Sequence, residues 1–172
     1  SVAEAPKRQV SCKDIDAMRA LVSERWSGWS NEFTVTQQII DQFESITGIK
    51  ERRYAEDHQV TSDLAALAAA DALDSSGLDR ETLDTIIVAH NFGDVRAGTR
   101  HSDLVPALAA RVKAQLKIAN PGAAAFDVVF GCPGWLQGVI LCDAMIRAGD
   151  IRRAMVIGAD TTPKGFFAPV GG

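Results

Sequence analysis

Long apolar runs are missing from this chain: none approaches the ~18 consecutive apolar residues a membrane-spanning helix needs. The opening "SVAEAPKRQVSCKDI" has no hydrophobic stretch of the kind found in a secretory signal. Positive charge is not in excess either. Eighteen Lys and Arg stand against 22 Asp and Glu, for a net charge of −4 and a pI near 5.3. That balance argues against nucleic acid or an anionic membrane as the main partner, and acidic residues dilute the two basic patches, "IKERRY" and "RAGDIRR". Cysteine is scarce: Cys12, Cys132 and Cys142 show no CxxC spacing and no zinc-type His/Cys cluster. An odd number of thiols argues against a closed disulfide framework, so a reducing cytoplasm is the expected setting. His58, His90 and His101 are too scattered to suggest a metal site. No metal and no cofactor are expected.

What remains is an ordinary soluble composition, 47% apolar and 23% charged over 172 residues, enough for one substantial core. Ser11 is a candidate cap for a helix through "CKDIDAMRALVSERW", and a second amphipathic segment runs from about Phe33 to Ile46 and stops at Gly48. "IKERRYA" reads as a short extended piece. Thr61 or Ser62 starts an alanine-rich helix that ends at Gly77, and "DRETLD" is a helical turn before the β-branched run "TIIVAHN". The loop "NFGDVRAGTRHSD" leads to the helix "DLVPALAARVKAQLKI", with Pro106 expected in its first turn. After the turn "NPG" come strand "AAFDVVF", helix "GWLQGVILCDAMIRAG" and strand "RRAMVIGAD". This alternation predicts an α/β fold of βαβ units with a mostly parallel sheet covered by helices. The tail "TTPKGFFAPVGG" reads as loop, and there is no internal repeat.

Cys132 stands where a strand turns into a helix, in "VVFGCPGW". Ligand sites in open α/β sheets collect at the carboxyl ends of the strands. Helix N-termini favour anions, and thiols placed there can fall from a pKa of ~8.5 to ~3.5–7.5. Gly131 and Gly134 would allow a tight turn, and Pro133 suits a first helical position. The functional and the plain reading weigh about evenly on these residues, because a free cysteine is often just core. Cys142, within the same helix, reads as buried packing, and Cys12 as structural.

"AFDVVFGCPGWLQGVILCDAMIRAGDIRRAMVIGAD" resembles the nucleophile region of thiolase-fold condensing enzymes, in particular the β-ketoacyl-acyl-carrier-protein synthase III family. "TGIKERRYA" is similar to that family's Thr-Gly-Ile-basic-Glu-Arg motif, and "LDTIIVAHN" to its following strand. The resemblance covers roughly residues 8–162. It implies a thiolase-like fold in which Cys132 takes an acyl group from acyl-CoA or an acyl carrier protein. Backbone N–H groups, that of Cys132 included, would stabilise the oxyanion. A malonyl thioester would then lose carbon dioxide and attack the acyl-enzyme, in fatty-acid or polyketide-type synthesis.

The same resemblance implies what to look for elsewhere. The family's second step uses a His and an Asn from the second half of its fold, and neither motif is found here. Residues 1–172 are therefore expected to form an N-terminal thiolase-like half-domain, a fragment or incomplete chain without the first strand and the C-terminal half. His90, Asn91 and Phe92 are candidate pocket residues. Arg52 and Arg53 are candidates for the phosphates of CoA or an acidic carrier, although a solvated strand explains them about as well. Trp26, Trp29 and Trp135 read as core or interface. Two alternatives stay open: a non-catalytic half that pairs with a second copy or a complementary subunit, and an unrelated thiol enzyme using a Cys132–His90 pair. For His90 itself, a hydrogen-bonded histidine at a strand end is favoured over a proton-transferring one.

Overall fold

A computed structural model describes residues 8–11, 37–99 and 101–161. Cys12, Trp26, Trp29, the helix expected through them and the tail from 162 onwards lie outside the described residues. The elements run β1 (Arg8–Ser11), α1 (Gln37–Thr47), β2 (Glu51–Tyr54), α2 (Thr61–Ser76), a 3-10 turn (Arg80–Thr82), β3 (Thr85–His90), α3 (Leu108–Gln115), β4 (Ala124–Val129), α4 (Gly134–Ala148) and β5 (Ala154–Gly158). Ser11, considered above as a helix cap, is the last residue of β1, where it pairs with Glu51 in an antiparallel two-stranded ladder with β2.

The second sheet is the frame of the molecule. Its order is β4-β3-β5, and β3 is parallel to both neighbours, in register Val88↔Asp127 and Val88↔Ile157. All six residues of β3 are buried, as its unbroken β-branched run requires of a central parallel strand. Alternation then sorts side chains between the faces. Ile86, Val88 and Ile157 join Ala65, Ala69 and Leu73 of α2 and Leu108, Ala109 and Val112 of α3 in one core. Ile87, Ala89, Val156 and Gly158 face α4 across the sheet.

Small residues set how closely α4 approaches. Its buried positions are Gly134, Gly138 and Cys142, spaced four apart on one stripe. A Cβ on Gly138 would come within 2.7 Å of Val156 Cγ1, and one on Gly134 within 3.3 Å of the Ala89 Cβ. The rest of this apolar helix faces outward.

Two boundaries differ from the sequence expectation. α3 begins at Leu108, not before Pro106, because a residue preceding proline is pushed out of helical geometry; it ends at Gln115, and Lys117 has a left-handed φ of 55°. Pro133 is the residue before α4 and not its first helical position, which is Gly134.

Neither α2 nor α3 is preceded by a side chain able to cap it: Val60 and Ala107 hold those places. Distant carboxylates take over. Asp94 accepts from the backbone N–H of Ser62 (2.7 Å) and from its hydroxyl (2.7 Å) at the start of α2. Asp127, reaching from β4, accepts from the N–H groups of Leu108 (2.6 Å) and Ala109 (2.8 Å) at the start of α3. Arg111 of α3 then bridges Asp94 and Asp103, at 2.7 and 2.8 Å, and ties the loop after β3 to both helices.

Candidate active site

The carboxyl ends of β3, β4 and β5 open onto one cavity of about 280 Å³. Its wall includes His90 at the end of β3 and Asn91 just after it, Phe130 and Cys132 after β4, and Asp160 after β5. Cys132 is exposed and lies in the turn two residues ahead of α4, whose first turn points unpaired N–H groups toward this end of the sheet. The turn closes through Gly134 N–H donating to Gly131 O at 2.8 Å.

The two glycines beside Cys132 bound this turn, and neither has a left-handed φ. Gly134 is there because a side chain would press on Ala89, and Gly131 has open space where its side chain would be. The approach to the sulfur is thus left clear on the Gly131 side. Cys142, by contrast, is 5% exposed beneath α4, and burial pushes its thiol up. Trp135 is half exposed and donates its indole N–H to Val156 O at 3.1 Å, pinning the first turn of α4 to β5.

His90 touches the cavity but directs its ring elsewhere. It shares the face of Val88 and Asp127, opposite α4. Nδ1 accepts from the Gly93 N–H at 3.0 Å, so the ring proton sits on Nε2 and is donated to Asp127 Oδ2 at 3.2 Å. Both ring nitrogens are therefore engaged within the protein, away from Cys132. Burial pushes the Asp127 carboxyl up, but the His90 bond and the amides of Ala109 and Leu108 outweigh it and hold it below the usual carboxylate value. His90→Ala is expected to lower stability and leave the pH profile of Cys132 alkylation unchanged. A shifted profile in iodoacetamide kinetics would restore the Cys132–His90 pair.

Asn91 lines the cavity, while Phe92 is half-buried and is not part of its wall. Arg52 and Arg53 lie in β2, paired through the backbone with Val10 and Gln9; their side chains are outside the described residues. Residues that the sequence reading did not single out as site residues complete the site. Asp160 Oδ2 accepts from the Asn91 backbone N–H at 3.1 Å and from its carboxamide. Thr61 donates to Gly93 O at 2.8 Å and accepts from Thr161 at 2.9 Å, joining the start of α2 to the ends of β3 and β5.

A larger cleft of about 740 Å³ lies between α2, α3 and the loop after β3. Its chemistry is weaker despite its size, since Asp94 and Arg111 on its wall neutralise each other and no thiol borders it. Among the described residues no group of three or more His, Cys, Asp or Glu is placed to hold a metal, and no helix is long and apolar enough to cross a membrane.

The family model for 3-oxoacyl-[acyl-carrier-protein] synthase III matches residues 126–166, the stretch that carries β4, the Cys132 turn, α4 and β5. A β-ketoacyl-[acyl-carrier-protein] synthase III of Ehrlichia canis is 36% identical over 132 residues, 76% of this chain and 38% of the relative. The chain is β-ketoacyl-acyl-carrier-protein synthase III-like. A second synthase III, from Caldanaerobacter subterraneus, is 42% identical over 118 residues, 69% of this chain and 33% of that protein. The crystal structure of the Thermus thermophilus synthase III superposes with a TM-score of 0.65 at 30% identity, covering 94% of this chain and 41% of that one. The thiolase-like architecture expected from the sequence is thus the architecture found. The synthase III-like chain spans well under two thirds of the length of these relatives.

Proposed function

We propose that this chain contributes the acyl-accepting half of a 3-oxoacyl-acyl-carrier-protein synthase III-type enzyme, with Cys132 as the nucleophile. The observation that carries this is the placing of an exposed thiol, ahead of a helix N-terminus, in the cavity where three parallel strands end. The Cys132 thiolate attacks the thioester carbonyl of an acyl-CoA or acyl carrier protein, and the carbon–sulfur bond to the carrier breaks as its thiolate leaves. Backbone N–H groups around the turn, including that of Cys132, stabilise the oxyanion. In the condensing step a malonyl thioester on acyl carrier protein releases carbon dioxide, and the resulting carbanion displaces Cys132 from the acyl group. Residues outside this chain supply that step. Arg52 and Arg53 are assigned to the CoA phosphates or an acidic carrier surface. The working setting is the cytoplasm, with no cofactor or metal.

Incubation with acyl-CoAs of several lengths, followed by intact and peptide mass analysis, is expected to place one acyl group on Cys132. No label on Cys132 in a folded sample would remove the proposal. Label without ketoacyl product from malonyl-acyl carrier protein would locate the missing chemistry outside the chain.

One observation favours the second reading, a half that works only when paired. Leu136 and Ile140 of α4 are each 53% exposed and Trp135 52%, with Leu141, Ile146, Val129 and Phe130 close to them in sequence and also exposed. So much unburied apolar surface marks an interface, with a second copy or with a complementary half. Sedimentation at micromolar concentration is expected to show association, weakened about tenfold or more by Leu136→Lys or Ile140→Lys. A monomer unaffected by either change would overturn it.

A further inference from the structure

Among the groups lining the Cys132 cavity, Asp160 and Asn91 form a pair with a fixed polarity. An ionised carboxylate only accepts hydrogen bonds, so it is the NH₂ side of the Asn91 carboxamide that faces Asp160 Oδ2. The backbone N–H of Asn91 is bound to the same oxygen. The choice of rotamer is thereby made: the carboxamide oxygen must lie on the side away from Asp160. Among the described residues Asn91 Oδ1 has no hydrogen-bond donor, although Asn91 is half-buried on the cavity wall. Asp160 Oδ1 is buried and also without a partner. The wall beside Cys132 therefore carries acceptors that no donor among the described residues answers, and buried or half-buried acceptors reward a ligand that brings N–H or O–H groups. Position adds to this. Ala159 N–H donates to Ala89 O at 3.1 Å, so Asp160 follows directly on the last link between β5 and β3 and cannot drift.

We infer that Asp160 is a positioning residue that locks the Asn91 carboxamide, so that its oxygen receives an N–H donor on the arm of the thioester bound at Cys132. This rests on the thioester reading above and narrows it: the arm must carry an amide close to its sulfur. The pair selects by the arm and not by the acyl group, and Asn91 touches the ligand while Asp160 acts through it.

The test compares two acetyl thioesters on the whole chain, acetyl-N-acetylcysteamine, whose arm has one amide N–H, and S-ethyl thioacetate, whose arm has none. Methyl methanethiosulfonate, which offers no donor, reports the intrinsic access of Cys132. Asn91→Ala and Asp160→Asn are expected to slow acylation by the amide-bearing thioester about three- to tenfold, and to leave the rates with S-ethyl thioacetate and methyl methanethiosulfonate within about twofold of the parent chain. Asp160→Glu, which keeps the charged carboxylate that Asp160→Asn loses, is expected to recover part of the loss. Equal slowing with all three reagents would make the pair purely structural and overturn the inference, as would an unchanged rate ratio. Should Asp160→Asn fold poorly, Asn91→Ala still decides the ratio.

The parent chain separates this inference from the function it rests on. If methyl methanethiosulfonate modifies Cys132 while no thioester acylates it, the thioester reading fails and the role of the arm fails with it. The lock is judged apart from activity: the Asn91 side-chain ¹⁵N–¹H signals are expected to move upfield in Asp160→Asn, which removes the negative charge beside them. Signals that ignore the change would overturn the lock even in a chain that acylates normally.

Discussion

Cys132→Ser is expected to abolish thioester capture by this chain, with a fall in acylation rate of at least about 10³-fold. Two features of the site make the loss large. A serine hydroxyl stays protonated unless a base removes its proton, whereas a thiol reaches its nucleophilic form by ionising alone. His90, the histidine on the cavity wall, has one ring nitrogen accepting from Gly93 and the other donating to Asp127, so its imidazole is not free to rescue the hydroxyl. General-base assistance is commonly worth about 10²–10⁴-fold, and a serine here receives none of it from His90. The change replaces one exposed atom, so the unfolding transition should stay within about 0.5 kcal/mol of the parent. Cys142 is an internal control. It is buried and its thiol is pushed up by burial, so acyl label must vanish from the serine variant and not migrate to the second thiol. Label retained at the parent rate, or found on Cys142, would remove Cys132 from the chemistry.

The sheet and the thiol were legible in the sequence because each leaves a local trace. "TIIVAH" is apolar on both alternations, which only a strand covered on both faces sustains, and β3 is buried at all six positions. The junction "FGCPG" marks its own strand end and helix start, and the cavity forms there. What escaped is long-range. Asp94 serves α2 from 32 residues away, Asp127 serves α3 from 18 and 19 residues ahead, and Asp160 meets Asn91 across 69 residues. None of these has a spacing to read. The indirect clue was negative: Val60 and Ala107 cannot cap, so the N–H groups at the starts of α2 and α3 had to find acceptors elsewhere. At the turn, Gly134 also makes room for β3, a demand set by a neighbour that only the fold brings close.

Asp127→Ala should be the most damaging substitution among the residues that shape the cavity without touching substrate, costing about 2–4 kcal/mol. Among the described residues its carboxylate is the only acceptor for the Leu108 and Ala109 amides at the start of α3, and it also accepts a hydrogen bond from His90. Losing a helix cap alone costs about 0.5–2 kcal/mol, and leaving buried donors without acceptors adds about 1–3 kcal/mol. The side chain is only 10% exposed, so water cannot simply replace it. Asp127→Asn keeps an oxygen for one amide and should fall between. The pH dependence has a definite sign. Because the folded carboxyl lies below its usual value, its contribution is complete above the unfolded pKa of about 3.9 and is lost as pH falls through the folded value. Urea unfolding of the parent and Asp127→Ala should therefore differ by a constant amount from about pH 5 to 8, and the gap should narrow as pH falls through the folded value. A gap under about 1 kcal/mol at neutral pH, or one that does not narrow in acid, would mean that α3 is held by its apolar face alone. The outcome also bears on Cys132. Asp127 and His90 lie on the face opposite α4, so in the native state of this variant methyl methanethiosulfonate should still modify Cys132 at nearly the parent rate. Stability is then built on one face of the sheet and reactivity presented on the other, joined only through the backbone of β3 and β4.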